Sequence, residues 1–174
     1  MASKKFKIAV VGGGIGGAAA ALNLLAAGHD VQVYEQAPTF REVGAGIQVS
    51  PNASRVIHGL GLAEPLARIG VRPQAFHQKR WQDGRTILKT PLGDAVEAAF
   101  GFPYYQVHRA GLLSMLVDAL PPDRLHTGHR LVSLSESGDG VALEFDNGAF
   151  AVRRAAHERR GVRSTLKLKM SGRL

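Results

Sequence analysis

The 174 residues contain no cysteine, which excludes a disulfide framework, a thiolate metal site and a cysteine nucleophile together. The absence fits a reducing compartment, and the cytoplasm is the expected location. Aromatic residues make up only 6% of the chain, and none follows Phe150. Long apolar runs are missing as well. The uncharged stretch from Ile8 to Gly28 follows Lys4, Lys5 and Lys7 and has the outline of a signal or anchor. Five glycines crowd into residues 12 to 17, however, where a spanning helix or an h-region needs Leu, Ile and Val. A soluble chain with no membrane partner is expected.

Acidic residues are also short, at 14 against 22 Lys and Arg, a net charge of +8. The excess is local. Residues 149 to 174 hold eight Lys and Arg against Glu158 alone, so the other 148 residues carry only +1. A near-neutral body with a basic tail that has no rings to stack on bases lacks the basic groove of a nucleic-acid-binding domain. No nucleic-acid partner is expected. An apolar fraction of 45% and a charged fraction of 21% are those of a globular protein, and the length suits one domain.

Glycine, by contrast, is abundant, at 21 residues. Phe6 to Val11 is a short β-branched run without alternation, the pattern of a strand buried on both faces of a parallel sheet. A glycine turn follows, then an alanine- and leucine-rich helix from Ile15 to Ala27 that Gly28 closes, then a strand from Val31 to Glu35. This order is a βαβ unit. Gly12, Gly14 and Gly17 satisfy G-x-G-x-x-G between strand and helix, with Gly16 beside them and Glu35 18 residues after Gly17. Gly12 permits the tight turn, Gly14 lets the backbone approach a pyrophosphate, and Gly17 lets helix and strand pack closely. Unpaired N–H groups at the helix start and about half a positive charge meet the phosphates. Glu35 accepts from ribose hydroxyls and repels a 2'-phosphate, which favours FAD or NAD over NADP.

Beyond this unit, Ala37 to Pro51 reads as irregular, followed by helices from Asn52 toward Leu60 and from Ala63 to Ile69. Asp83-Gly84 marks a hairpin turn between residues 75 to 82 and 85 to 90. A helix spans Ala110 to Leu120, and Leu125, Leu131 to Leu134 and Val141 to Phe145 read as strands, the last turned back by Asp146-Asn147-Gly148. The fold class is therefore α/β, a Rossmann-like FAD/NAD(P)-binding fold with a parallel sheet and an antiparallel β-ribbon, truncated. His126-x-x-His129 has no companion ligands for a metal, no serine lies in a G-x-S-x-G elbow, and Trp81 beside Arg80 reads as sheet packing. No metal is expected.

Four segments carry a family resemblance: VVGGGIGGAAAALNLLAAGHDVQVYEQAP at 10 to 38, REVGAGIQVSPNASRVIHGLGL at 41 to 62, VHRAGLLSML at 107 to 116 and RLVSLSE at 130 to 136. Over residues 5 to 148 the chain resembles the FAD-dependent aromatic-ring monooxygenases that include salicylate, 3-hydroxybenzoate and 6-hydroxynicotinate hydroxylases. The resemblance implies FAD as cofactor, NADH or NADPH as transient co-substrate and a small aromatic substrate. It places Glu35 and Gln36 at the adenosine ribose, Leu131 near the adenine through its backbone, and Arg41 and Gln48 along the flavin side. Arg109 is expected to contact FAD, its planar fork suiting pyrophosphate or ribityl oxygens. Relatives acting on 6-hydroxynicotinate carry histidine at the position of Gln48, so Gln48 counts against that substrate. No catalytic residue is assigned, and the oligomeric state stays open.

After Gly148 the family continues with an apolar strand and a second flavin motif, G-A-D-G-(V/I)-(R/H)-S. Here Gly161 to Lys167 (GVRSTLK) keeps the end of that motif, while Arg153 to Arg160 (RRAAHERR) is too charged for a buried strand. Codons for Arg153 to Arg160 (Arg-Arg-Ala-Ala-His-Glu-Arg-Arg), shifted by one frame, can encode a sequence such as Ala-Glu-Leu-Leu-Met-Ser-Ala-Asp, the missing strand and aspartate. The expectation is residues 1–148 as an incomplete FAD-binding N-terminal domain and 149–174 as a basic tail holding a local frame error near 152 to 160. A chain that stops here is expected to bind FAD weakly, to lack activity alone and to be poorly soluble. Two alternatives stand beside this reading: a fragment of an NAD-dependent dehydrogenase, and a non-catalytic nucleotide-binding module whose tail docks an acidic partner.

Overall fold

The computed structural model describes residues 5–40, 45–137 and 140–153. In chain order the first elements are β1 (Lys7–Val11), α1 (Ile15–Ala26), β2 (Asp30–Tyr34), β3 (Gly46–Val49), α2 (Pro51–Gly59) and α3 (Ala63–Ile69). Next come β4 (Gly70–Val71), β5 (Ala75–Lys79), β6 (Thr86–Pro91), α4 (Asp94–Phe100), β7 (Tyr105–His108) and α5 (Arg109–Asp118). A 3-10 turn at Pro122–Arg124 leads into β8 (Leu125–His126), β9 (Leu131–Ser137), β10 (Gly140–Phe145) and β11 (Phe150–Arg153). The chain divides into two compact units, Phe40–Leu120 and the segments on either side of it.

In the flanking unit, β1 and β2 are parallel with Lys7 opposite Asp30 and Val11 opposite Tyr34, and α1 is the crossover that such a pair requires. β8 adds in parallel to β2, giving the order β1-β2-β8. α1 buries Ala18, Ala21 and Leu22, whose small side chains bring the helix close to the strands. It ends where Gly28 turns back at φ +86°, a conformation costly for any residue with a Cβ. β1 is less covered than a central strand: Val31 and Val33 of β2 are buried, whereas Val11 is exposed. β9, β10 and β11 form an antiparallel sheet, and Tyr34, Leu143, Phe145 and Ala151 make a core cluster. The Asp146-Asn147-Gly148 turn delivers β11 onto β10, with Gly148 at φ +79°. Arg124 forms a half-buried ion pair with Asp30.

In the Phe40–Leu120 unit, β7 lies between β3 and β4, antiparallel to both. β3 falls inside the segment expected to be irregular. Four residues with Gly46 and Gln48 among them make no recognisable run, and only pairing with the distant β7 makes them a strand. α4 was likewise unmarked, because seven residues between Gly93 and Gly101 are too few to show a period. Arg72 pairs with both Asp94 and Glu97 of that helix. Ser54 of α2 is fully buried and its hydroxyl donates to the Pro103 carbonyl at 2.6 Å. Ser54→Ala leaves that carbonyl dry and unpaired, and is expected to cost about 1–3 kcal/mol in urea unfolding.

The β5–β6 ribbon is present as expected, its turn held by Arg80 and Asp83, with the guanidinium holding the Asp83 carboxyl below its ordinary range. Phe76, Trp81, Ile87 and Leu88 are exposed on or beside it, Trp81 at 88%, so Trp81 is not packed in a sheet. A two-stranded ribbon showing apolar side chains and unpaired edges is a site for association. The double variant Trp81→Ser/Ile87→Lys is expected to reduce concentration-dependent light scattering at an unchanged melting temperature. Among the described residues, no helix is long and apolar enough to cross a membrane.

Candidate nucleotide-binding site

The glycines between β1 and α1 fall into two physical kinds. Gly12 has φ +102° and its N–H donates to the Tyr34 carbonyl at 2.8 Å, tying the turn to the end of β2. At Gly17 a Cβ would lie 1.8 Å from the Gly12 carbonyl oxygen and 3.4 Å from a Val10 methyl, so close approach of helix to turn dictates glycine there. Gly14 and Gly16 are different. A Cβ at either meets no protein atom within 4 Å, and Gly14 has φ −65°, which any residue adopts. Neither packing nor backbone strain explains glycine at Gly14, and the open space beside it is a cradle that a Cβ would fill. α1 starts at this point with Gly14 as its N-cap, no side-chain cap and no acidic residue in its first turn, so the N–H groups of that turn have no side-chain acceptor from the helix itself.

Glu35 follows β2 directly. Its Oε2 accepts from the Gly13 N–H at 2.6 Å and its Oε1 from the Ala37 N–H at 2.8 Å. Its own N–H donates to the His126 carbonyl at 2.8 Å, and its carbonyl accepts from the His129 N–H at 2.9 Å. The carboxylate is thus fixed at the glycine turn with about two of its four acceptor positions still open to hydroxyl donors. The sequence points to Glu35 as an expected ribose acceptor and does not reveal that it shapes the turn. No motif announces the Gly13 contact, which depends on the β1–β2 register.

Gln36 is exposed next to it. Leu131 opens β9 with its side chain packed against the Tyr34–Phe145 cluster, so any ligand contact from this residue falls to its backbone. Tyr34 stacks on Phe145 and on His126 at centroid distances of 4.7 and 4.9 Å. His126 Nε2 donates to Gln32 Oε1 and His129 Nδ1 to the Thr127 carbonyl, each at 2.7 Å. Among the described residues no group of three potential ligands could hold a metal ion.

In the other unit, pairing of β3 with β7 sets Gln48 opposite Gln106 and Gly46 opposite His108. Arg109, the first residue of α5, donates its backbone N–H to the Ala45 carbonyl at 3.2 Å. The β3–β7 ladder thus sets Arg109 beside the start of β3 and Gln48 opposite Gln106, three positions before Arg109. Arg41 and residues 154–174, with the expected tail and second flavin motif, lie outside the described residues.

A parallel βαβ unit with an open glycine cradle and a fixed carboxylate defines a Rossmann-like dinucleotide-binding protein. Residues 10–78 match the NAD(P)-binding Rossmann-like domain family. The chain is 44% identical over 151 residues to the 3-amino-4-hydroxybenzoate 2-monooxygenase of Streptomyces cremeus, covering 87% of this chain and 38% of that protein. It is 35% identical to the 6-hydroxynicotinate 3-monooxygenase of Bordetella bronchiseptica over 168 residues, 97% of this chain and 44% of that protein. Among solved structures it resembles Klebsiella pneumoniae HpxO complexed with FAD and uric acid, with a TM-score of 0.77 and 28% identity over 86% of this chain and 37% of that one. The chain is a homologue of the FAD-dependent aromatic-ring monooxygenases, and it spans less than half the length of those relatives.

Proposed function

We propose that this chain is the FAD-binding part of a flavin-dependent monooxygenase that hydroxylates an aromatic ring. The observation that supports this most is the cradle at Gly14 and Gly16, where glycine serves no need of the protein itself and a helix start without a side-chain cap faces it. Gly12, Gly14, Gly16 and Gly17 then hold the pyrophosphate, Glu35 and Gln36 bind the adenosine ribose, and the Leu131 backbone meets the adenine. Arg41, Gln48 and Arg109 act on the flavin side. When bound, the flavin supplies the redox chemistry: NADH or NADPH gives two electrons, one oxygen atom enters the ring as hydroxyl and the other leaves as water.

The Streptomyces cremeus and Bordetella bronchiseptica relatives are named for hydroxylated aromatic carboxylates, and that class is the substrate we assign to the whole protein. Gln48 argues against 6-hydroxynicotinate, because a glutamine hydrogen-bonds but does not titrate near neutrality. We place the protein in the cytoplasm and residues 1–148 in one FAD-binding portion, with no activity from this chain alone.

The tail supports a second element of the reading. A match covering 97% of the chain leaves only a handful of residues out, so it runs through Gly161 to Lys167 despite the charged segment before it. We take that segment as a local frame error inside the second flavin motif; resequencing that finds no one-base shift refutes it.

The test is titration with FAD, followed by flavin fluorescence, beside Arg109→Ala. Saturable quenching that the substitution weakens about tenfold supports a flavin site. Folded protein that binds no FAD overturns the assignment.

A further inference from the structure

Asp146, Asn147 and Gly148 turn β10 into β11, and each does a separate job. Gly148 takes φ +79° and donates its N–H to the Phe145 carbonyl at 3.0 Å. Asp146 ties the turn to the residue before β9: its N–H donates to the Arg130 carbonyl at 3.0 Å, and its Oδ1 accepts from the Arg130 N–H at 3.3 Å. Asn147 uses both ends of its amide. Oδ1 accepts from the Ala149 N–H at 2.9 Å, and Nδ2 reaches past Arg130 to donate to the Gly128 carbonyl at 2.9 Å. The first bond closes the turn, and an aspartate would make it equally well. Only the second requires an asparagine, and its acceptor lies outside the hairpin.

That acceptor belongs to the segment that holds Glu35. The peptide linking Gly128 to His129 accepts from Asn147 at its carbonyl and donates at its N–H to the Glu35 carbonyl at 2.9 Å. On either side of it, the Gly128 N–H donates to the Ala37 carbonyl at 3.0 Å and the His126 carbonyl accepts from the Glu35 N–H at 2.8 Å. Gly128 stands at φ +66°, which bends the segment so that one peptide faces Glu35 and the hairpin turn at once. A peptide that accepts at its carbonyl is both fixed in orientation and polarised toward stronger donation at its N–H. The Glu35 carboxylate in turn accepts from the Ala37 N–H and from the buried Gly13 N–H. All of these residues lie in one compact unit.

We infer that Asn147 is a positioning residue for the nucleotide site: its NH2 clamps the Gly128–His129 peptide, and that peptide holds the backbone of Glu35, whose carboxylate is proposed to meet the ribose. The inference rests on the nucleotide reading above. No motif marks Asn147, which reads in the sequence as turn chemistry alone.

The test measures ADP affinity, the melting temperature and amide hydrogen exchange for the 174-residue chain and for Asn147→Asp and Asn147→Ala. Asn147→Asp keeps the acceptor for the Ala149 N–H and loses the donor to Gly128, so it should hold the melting temperature and weaken ADP about threefold. Asn147→Ala loses both bonds, and should weaken ADP to the same extent while also lowering the melting temperature. In the ligand-free Asn147→Asp chain, exchange at the His129 amide should quicken about threefold. The effect on ADP travels through Glu35, so in a Glu35→Ala background Asn147→Asp should change ADP affinity no further. Wild-type ADP affinity or wild-type exchange at His129 in Asn147→Asp overturns the inference alone. A loss of affinity that persists in the Glu35→Ala background also overturns it, because Asn147 then acts through the fold at large. A wild-type chain that binds no ADP overturns the nucleotide reading and this inference with it.

Discussion

Gly14→Ala is expected to weaken FAD at least tenfold without changing the melting temperature of the ligand-free protein, while Gly17→Ala is expected to lower that melting temperature sharply. The two substitutions add the same methyl group three positions apart, and the structure assigns them opposite consequences. At Gly14 the methyl enters empty space and the backbone is relaxed, so the folded state is indifferent. A pyrophosphate brought against the same backbone meets the methyl instead of N–H groups, and a tenfold loss corresponds to about 1.4 kcal/mol. At Gly17 the methyl is placed 1.8 Å from a backbone oxygen, which no side-chain rotation relieves. Helix and turn must separate, at about 1–3 kcal/mol or more, and for a chain of this size the melting temperature should fall by roughly 2–4 °C per kcal/mol. Thermal melts by circular dichroism with and without FAD distinguish the two. A stable Gly17→Ala protein would show that the helix does not approach the turn as described. Undiminished FAD binding by Gly14→Ala would remove the cradle from the site.

What the sequence made legible follows from how local the determinants are. The βαβ unit was readable because its signals lie within one stretch: a β-branched run, a turn needing glycine, small helix residues and an acidic residue after the second strand. The β5–β6 ribbon was readable from Asp83-Gly84 alone. β3 and β7 were not, since each has four residues and owes its strand character to the other, more than 50 positions away. The same non-local pairing sets Gln106 opposite Gln48, which only the register shows. Ser54 was similarly silent: a serine near a helix start reads as a cap or a solvated hydroxyl, and its burial against Pro103 comes from packing between distant segments. The turn-holding role of Glu35 belongs here too, because a ribose-binding carboxylate and a turn-holding carboxylate have the same sequence signature.

The turn-holding role of Glu35 and the ribose role proposed for it separate in Glu35→Gln, which is expected to destabilise the protein even before any ligand is added. The carboxylate offers one oxygen to the Gly13 N–H and the other to the Ala37 N–H. A glutamine amide keeps one oxygen, and wherever it points, its NH2 faces the remaining backbone N–H, donor against donor. Rotating the side chain away leaves both N–H groups short of an acceptor, and Gly13 is buried where water does not replace it. Loss of a charge-assisted bond with one donor stranded is worth about 1–3 kcal/mol. The melting temperature of the ligand-free chain should therefore fall by about 2–12 °C. Glu35→Ala removes the donor clash and admits solvent, so it should be no worse for stability than Glu35→Gln although it deletes more of the side chain. A carboxylate that served the ribose alone predicts the reverse pattern, with ligand-free melting unchanged in both variants and the whole effect confined to nucleotide affinity. Measuring the two melts before the two titrations decides between them, because only a turn-holding carboxylate makes the isosteric amide the more damaging replacement.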